Sequence, residues 1–229
     1  MTSALKLVMF DLDGTLIETA PEIADAVNDT LTHLGLPSVT LQQVNDWIGH
    51  GTHTLLISAL AQVKQTTTEA IRAWDGLPNA STAFNRFYQQ RCGTRSNLYP
   101  HVRAVLYELA QKGVRLAVVT NKEGRFTQTV LKAHAMENTF DMVISGDTLP
   151  TKKPNPAGIQ HCLDCFGIKA EEAIFIGDSS IDAATAKNAG VRVWLLPYGY
   201  NMGDSVSASN PDRVIPDFLP ILTLLEHAS

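Results

Sequence analysis

The chain has 229 residues, of which 45% are hydrophobic and 18% are charged, and its formal net charge is −5. At about 150 residues per domain, this length predicts one large domain or a core with a smaller companion, with enough residues to bury a hydrophobic core. The acidic balance argues against a nucleic-acid partner, and three cysteines are too few for a disulfide framework, which fits a reducing compartment.

The first residues do not form a targeting or membrane-spanning pattern. Their short apolar run leads directly into Asp11 and Asp13, whereas a signal peptide needs a longer apolar segment and a small-residue cleavage site. No apolar run approaches the roughly 18 residues that span a membrane. We therefore expect a cytoplasmic protein without a membrane partner. The sequence leaves open whether it is a monomer or a homodimer.

Five short apolar runs predict β-strands that are covered on both faces. The runs lie at 5–10, 116–119, 142–144, 173–176 and 191–196. Helical spacing separates the later runs: one segment closes at Gly113, a second begins at Asn155 (N-cap) and Pro156 (N1) and ends near Gly167, and a third closes at Gly190. Strands that alternate with helices predict an α/β fold with a doubly wound parallel sheet.

Residues 17–92 do not share this alternation. Thr19 and Glu22 have the spacing of a capping box and open an apolar-periodic segment, and 54–61 and 81–92 also have helical patterns. We therefore predict an all-helical domain at 17–92, inserted after the first strand of a core formed by 1–16 and 93–229.

Polar side chains follow four of the predicted strands. Ligands of parallel α/β sheets bind outside the carboxyl ends of the strands, so these residues are the first to inspect. Each alone could be a solvated loop residue, but that interpretation weakens when four strand ends are taken together. The residues are Asp11, Asp13, Thr120, Asn121, Lys122, Lys153, Asp178 and Asp182.

Several carboxylates at one sheet edge repel one another, and a divalent cation would offset that repulsion. Mg²⁺ prefers oxygen ligands and keeps water and substrate phosphate in its shell, which suits one or two carboxylates and a carbonyl. The sequence therefore predicts Mg²⁺ as a cofactor at this edge.

Four strings, FDLDGT, VVTNK, KKPNP and GDSSIDAATAKNAG, occur in that order between residues 7 and 190. They resemble the four motifs of the haloacid dehalogenase superfamily of phosphatases in order and in strand placement. The resemblance implies a Rossmann-like core, a small phosphomonoester as substrate and Mg²⁺ as cofactor. It also implies that Asp11, Asp178 and the backbone carbonyl of Asp13 bind the metal, with Asp182 supporting the site.

The same resemblance implies catalytic roles. Asp11 would be the nucleophile, Asp13 the general acid/base, Thr120 would bind the transferring phosphoryl group, and Lys153 would stabilise its charge. In an extended segment, residues i and i+2 point to the same face, so Asp11 could attack phosphorus while Asp13 reaches the bridging oxygen. We expect an aspartyl-phosphate intermediate on Asp11.

Further strings at 47–51, 99–102 and 198–201 extend the similarity over nearly the whole chain to the bacterial phosphoglycolate phosphatases. This similarity implies hydrolysis of 2-phosphoglycolate to glycolate beneath a mobile cap formed by 17–92. Gly49, His50 and Gly51 would bind substrate together with Thr120 and Asn121. An ordinary helix–helix turn remains the alternative for the Gly49–Gly51 loop.

A two-carbon carboxylate substrate needs a cation or amide donors outside the phosphate site. His50, Lys122 and Arg125 are possible cations, and the sequence does not choose among them. The CxxC spacing of Cys162 and Cys165 is interpreted as two ordinary helix cysteines, because tetrahedral zinc needs four ligands.

Three alternatives stay open within and outside this class. One is a sugar-phosphate mutase of the β-phosphoglucomutase type, and another is a phosphatase for a different small phosphomonoester. The third is a phospho-accepting receiver domain, which the second carboxylate at Asp13 and the long insertion disfavour. Asp13 also disfavours a carbon–halogen hydrolase, since phosphoryl transfer in the superfamily is associated with this second aspartate.

Overall fold

The structure is a computed structural model that describes residues 4–226, so the ends of the predicted core, 1–3 and 227–229, lie outside the described residues. The β-strands are β1 (Leu7–Phe10), β2 (Ile17–Glu18), β3 (Asn97–Leu98), β4 (Arg115–Val119), β5 (Met142–Ile144), β6 (Ala173–Gly177), β7 (Arg192–Leu195) and β8 (Arg213–Val214). The α-helices are α1 (Ala20–His33), α2 (Leu41–Trp47), α3 (Thr52–Val63), α4 (Thr68–Arg72), α5 (Leu77–Arg91), α6 (Val102–Gln111), α7 (Gly124–Ala133), α8 (Ala157–Phe166), α9 (Ser180–Asn188) and α10 (Thr223–Glu226). Between residues 4 and 226, no helix is both long enough and apolar enough to cross a membrane.

Six strands form a parallel sheet in the order β5-β4-β1-β6-β7-β8. The predicted α/β class and the five predicted strands are confirmed. Strand β8 was not predicted, because its two residues, Arg213 and Val214, are exposed and form no apolar run.

Side chains of β1 alternate between two hydrophobic layers. Val8 and Phe10 belong to the layer that continues into the helical insertion, whereas Leu7 and Met9 belong to the layer on the opposite face. All four are fully buried. Burial on both faces explains why the strand is a continuous apolar run rather than an alternating one.

Helices α1 to α5 all lie between β2 and β3, so the predicted insertion is helical. These two short strands pair antiparallel, with Ile17 opposite Leu98 and Glu18 opposite Asn97. The chain therefore enters and leaves the insertion through one two-stranded ribbon. The predicted boundaries after residues 16 and 92 stay a prediction.

Glycines end three helices as predicted. Gly113, Gly167 and Gly190 all have positive φ, between 63° and 75°, just beyond α6, α8 and α9. The predicted start of α8 is one residue too early. Pro156 holds the N-cap position, and Asn155 Oδ1 accepts a hydrogen bond from the backbone N–H of the first helical residue at 3.0 Å.

Replacing Phe10 by alanine tests the two-layer core. Phe10 is fully buried and stacks on Phe218 with ring centroids 5.9 Å apart. Removal of a buried aromatic ring leaves a cavity, so we expect Phe10→Ala to lower the free energy of unfolding by about 3–5 kcal/mol in denaturant titrations. Tyr107→Ala, at a site that is 61% exposed, serves as the control. A loss below about 1 kcal/mol for Phe10→Ala would contradict the assignment.

Candidate active site

Asp11, Thr120 and Asp178 follow the three central strands of the sheet, β1, β4 and β6. Backbone hydrogen bonds carry the sheet pairing past the strand ends: Asp11 N donates to Ile176 O at 3.0 Å, and Thr120 N donates to Ile144 O at 2.9 Å. The three side chains therefore meet at one edge, as the topology predicts.

Lys153 reaches this edge from the loop after β5. Its buried ammonium lies 2.8 Å from Asp11 Oδ1 and 2.7 Å from Asp182 Oδ1. Burial alone would lower the pKa of Lys153, but Asp11 and Asp182 outweigh burial and raise that pKa above its ordinary value. Asn121 fixes the loop by bonding both backbone groups of Lys153, with its Oδ1 2.9 Å from the N–H and its Nδ2 3.1 Å from the carbonyl.

Three buried carboxylates crowd together beside this lysine. Oxygens of Asp11, Asp178 and Asp182 all lie within 4.8 Å of one another. Burial raises the pKa of Asp11 to about 6 despite the nearby Lys153, and burial followed by the two neighbouring carboxylates also raises the pKa of Asp178. Ionisation of all three carboxylates is therefore unfavourable, and a further cation beside them would offset their repulsion.

Asp182 uses both of its oxygens to organise the neighbouring chain. Its Oδ2 accepts hydrogen bonds from Asp178 N and Ser179 N, both at 3.1 Å, and from Ser179 Oγ at 2.7 Å, while its Oδ1 accepts from Lys153. With Ser179 it forms the capping box of α9. Its contacts match the supporting role that the sequence predicted for it, and that role stays a prediction.

Asp178 sits in a cradle that two glycines form. A Cβ at Gly14 would lie 2.3 Å from Asp178 Oδ2, and a Cβ at Gly199 would lie 2.2 Å from the same atom. Thr15 Oγ1 donates to Asp178 Oδ1 at 2.5 Å, and Tyr200 N donates to Oδ2 at 2.6 Å. Sequence reasoning missed this cradle, although the strings DGT and YGY contain its residues.

The carboxylates fit a divalent cation. Asp11 Oδ1 is buried and accepts no aligned hydrogen bond, since its ion pair with Lys153 does not have hydrogen-bond geometry. Each carboxylate oxygen has two acceptor positions, so Asp178 keeps capacity beyond its two protein contacts. Small divalent cations bind hard oxygen donors of this kind. Asp11 and Asp178 are thus in place to hold a metal, whereas the side chain of Asp13 lies outside the cluster.

The carboxylate of Asp13 is directed toward the start of the insertion and the loop after β4. Its Oδ1 accepts hydrogen bonds from Thr19 Oγ1 at 2.7 Å and from Lys122 Nζ at 2.9 Å. Asp13 nevertheless lines the same cavity as Asp11. Two carboxylates with separate partners therefore face one space, which is an arrangement that can divide nucleophile and acid/base roles.

A small cavity lies between the sheet edge and the insertion. Among the predicted substrate-binding residues, Gly49, Gly51, Thr120 and Asn121 line it, but His50 is exposed and does not. The prediction of a substrate contact for the His50 side chain therefore has no support in this arrangement. The apolar part of the lining comes from the insertion: Ile23, Ile48 and Leu55.

The sequence offers three candidate cations for a substrate carboxylate. His50 and Arg125 are exposed and lie outside the cavity lining. Lys122 lines the cavity, but its ammonium already binds Asp13 and Tyr88 Oη. None of the three is therefore free at the cavity.

The Gly49–Gly51 loop closes directly onto the core. Gly49 O accepts a hydrogen bond from Asn121 Nδ2 at 2.9 Å, and a Cβ at Gly51 would lie only 3.1 Å from Asn121 O. Both glycines have positive φ, 131° and 88°, which other residues rarely adopt. Glycine is thus needed at Gly51 for both conformation and close approach.

The predicted capping box at the start of α1 is wrong. Thr19 Oγ1 donates to Asp13 instead of capping the helix, and Glu22 Oε2 accepts from Gly93 N at 2.9 Å. Tyr200 Oη takes over the capping role by accepting from the N–H groups of Thr19 and the next residue at 3.1 and 3.0 Å. The start of the insertion is therefore held by the same residue whose backbone binds Asp178.

Comparisons with known proteins agree with this geometry. Residues 8–196 match the family described as haloacid dehalogenase-like hydrolase. A phosphoglycolate phosphatase of Vibrio cholerae is 39% identical over 97% of this chain and 96% of its own, and one of Haemophilus influenzae is 38% identical over 98% and 100%. The crystal structure of a predicted phosphoglycolate phosphatase from Haemophilus somnus superposes with a TM-score of 0.90 at 35% identity, covering 96% of this chain and 97% of that chain.

These similarities extend over nearly the full length of this chain and of each relative. The family match, residues 8–196, contains every strand end that contributes to the acidic cluster. The chain is therefore an enzyme that belongs to the haloacid dehalogenase-like hydrolase family.

Proposed function

We propose that this enzyme is a Mg²⁺-dependent phosphatase that hydrolyses 2-phosphoglycolate to glycolate and phosphate. The observation that carries the proposal is that Asp11 and Asp13 line one small cavity together with Thr120 and Asn121. The full-length similarity to proteins named phosphoglycolate phosphatase supports the choice of substrate.

In the first half of the proposed reaction, an oxygen of Asp11 forms a bond to phosphorus while the bond from phosphorus to the substrate's bridging oxygen breaks. Asp13 gives a proton to that oxygen as glycolate leaves. General acid catalysis of this kind contributes about 10²–10⁴-fold. Thr120 binds the transferring phosphoryl group, and Lys153, 2.8 Å from Asp11, stabilises its negative charge.

In the second half, water attacks the phosphorus of the aspartyl phosphate on Asp11. Asp13, which now carries a full negative charge, takes a proton from that water. The bond between phosphorus and the Asp11 oxygen then breaks, and phosphate leaves. Both halves use the same two carboxylates, which explains why Asp11 and Asp13 must face one cavity.

We propose that Asp11, Asp178 and the carbonyl of Asp13 hold Mg²⁺. When bound, the ion neutralises part of the charge on the phosphoryl oxygens and on the carboxylate cluster. Lys153 and Asp182 keep the carboxylates in place, since Asp182 bonds both Lys153 and the backbone of Asp178.

We further propose that residues 17–92 are a cap over the site. The hydrogen bond between Asn121 Nδ2 and Gly49 O and the bonds from Thr52 Oγ1 to the Glu123 carboxylate at 2.8 and 2.9 Å join the two parts beside the cavity. Exclusion of bulk water by such a cap protects the phosphoenzyme and strengthens the electrostatic interactions inside.

A substrate panel tests the proposed function. We expect kcat/KM for 2-phosphoglycolate to exceed that for a generic aryl phosphate by about 10²-fold or more, because a pocket that differs in fit by even one methylene group discriminates by about 10–200-fold. We expect EDTA to abolish turnover and Mg²⁺ to restore it. Equal kcat/KM values would contradict the substrate, and isomer formation without phosphate release would indicate a mutase.

Asp11→Asn removes the proposed nucleophile with almost no change in volume. We expect kcat to fall about 10³-fold or more in phosphate-release assays, because an amide oxygen does not form the covalent intermediate. Asp75→Asn, at an exposed position, should retain wild-type kcat. Full turnover by Asp11→Asn would refute the mechanism.

Gly199→Ala tests the cradle around Asp178. The new methyl group would overlap Asp178 Oδ2 and displace the carboxylate, so we expect the Mg²⁺ concentration for half-maximal activity to rise about 10-fold or more, in line with losses at supporting residues of metal sites. Gly113→Ala is the control, because no atom lies within 4 Å of its Cβ position. It should lose stability through its positive φ and keep its Mg²⁺ dependence. An unchanged Mg²⁺ requirement in Gly199→Ala would argue against Asp178 as a ligand.

A further inference from the structure

The ammonium of Lys122 is buried between the sheet edge and the insertion, and it takes no part in the steps of the proposed mechanism. Its Nζ donates to Asp13 Oδ1 at 2.9 Å and to Oδ2 at 3.2 Å, and it also donates to Tyr88 Oη. Lys122 is only 2% exposed, so these two residues supply its polar contacts in place of water.

Tyr88 is held firmly by its surroundings. It lies near the end of α5 in the insertion and is fully buried. Its ring packs against Phe126 of α7 with centroids 4.4 Å apart and against Phe84 with centroids 5.5 Å apart. Its hydroxyl therefore occupies a position that packing determines, whereas the four-carbon stem of Lys122 has no such rigidity.

We propose that Tyr88 is a positioning residue that holds Lys122 against Asp13 and thereby aims the acid/base carboxyl at the bridging oxygen. The inference rests on the proposed function, since it assigns Asp13 the proton transfer. Tyr88 belongs to the insertion, whereas Lys122 and Asp13 belong to the core. Alignment of the acid/base thus depends on the docking of α5.

Substrates with different leaving groups distinguish a positioning role of Tyr88 from a purely structural role. Glycolate and ethanol leave as strongly basic alkoxides and need the proton of Asp13, whereas acetyl phosphate releases acetate, which needs no proton. The constant kcat/KM covers the steps through phosphoryl transfer to Asp11, so it reports this proton transfer directly. We therefore compare 2-phosphoglycolate, ethyl phosphate and acetyl phosphate.

We expect Tyr88→Phe to lower kcat/KM for 2-phosphoglycolate and for ethyl phosphate by about 10-fold, a part of the 10²–10⁴-fold that general acid catalysis supplies. The value of kcat/KM for acetyl phosphate should change by less than about 2-fold, because its cleavage does not need general acid catalysis. Asp13→Asn should also lower kcat/KM for the two alkyl phosphates more than for acetyl phosphate, and the losses should be larger than in Tyr88→Phe. Lys122→Gln, which removes the other end of the contact, should also lower kcat/KM more for the alkyl phosphates.

Tyr107→Phe removes a hydroxyl from an exposed tyrosine on α6 and should leave all three constants unchanged. Equal losses on all three substrates in Tyr88→Phe, or no loss on any, would overturn the positioning role. A loss on 2-phosphoglycolate without a loss on ethyl phosphate would assign Tyr88 to the substrate carboxylate and would also overturn it. Absence of wild-type turnover on every substrate would refute the proposed function itself, independently of any variant.

Discussion

The constraint on which the site depends is the burial of several like charges at the carboxyl ends of β1 and β6. Oxygens of Asp11, Asp178 and Asp182 lie within 4.8 Å of one another, and each buried ion costs several kcal/mol in desolvation. Lys153 offsets part of this cost through ion pairs with Asp11 and Asp182. The remaining repulsion favours the binding of a cation at this edge.

The insertion and the site are linked through three core residues, each of which contacts both. Asn121 binds Gly49 and the backbone of Lys153, and Tyr200 binds the start of α1 and Asp178. Lys122 similarly contacts Tyr88 of the insertion and the carboxylate of Asp13. Each of these hydrogen bonds is worth about 0.5–1.5 kcal/mol net, so the contacts that hold the insertion in place also hold the side chains of the site.

Much of this structure was predictable because the signals are local. Strands buried on both faces form continuous apolar runs. A glycine just past a helix end readily adopts the left-handed conformation, as Gly113, Gly167 and Gly190 do. The sheet topology then brought Asp11, Thr120 and Asp178 to one edge without any knowledge of side-chain positions. These predictions needed only periodicity and chain order.

The capping box predicted at the start of α1 is wrong because its two side chains bind residues that are distant in the sequence or outside the helix. Thr19 and Glu22 have capping-box spacing, but a cap is worth only about 1 kcal/mol, and Asp13 and Gly93 compete as hydrogen-bond partners for the two side chains. The predicted role of His50 in substrate binding stays a prediction: this residue lies beside two glycines that reach the core, and its own side chain is exposed. Residue spacing does not predict where these side chains point, because their directions depend on how the insertion packs against the core.

The proposed mechanism depends on transfer of the phosphoryl group to Asp11, and trapping the phosphoenzyme detects that covalent step. Enzyme mixed with 2-phosphoglycolate and Mg²⁺ is quenched with acid within the first turnover, reduced with borohydride and mapped by peptide mass spectrometry. Reduction of an aspartyl phosphate yields homoserine, so homoserine is expected at position 11 in the substrate-treated sample and not in the sample without substrate. Phosphate release in the same reaction without homoserine at position 11, or with the modification at Asp13 or Asp178, would contradict the mechanism.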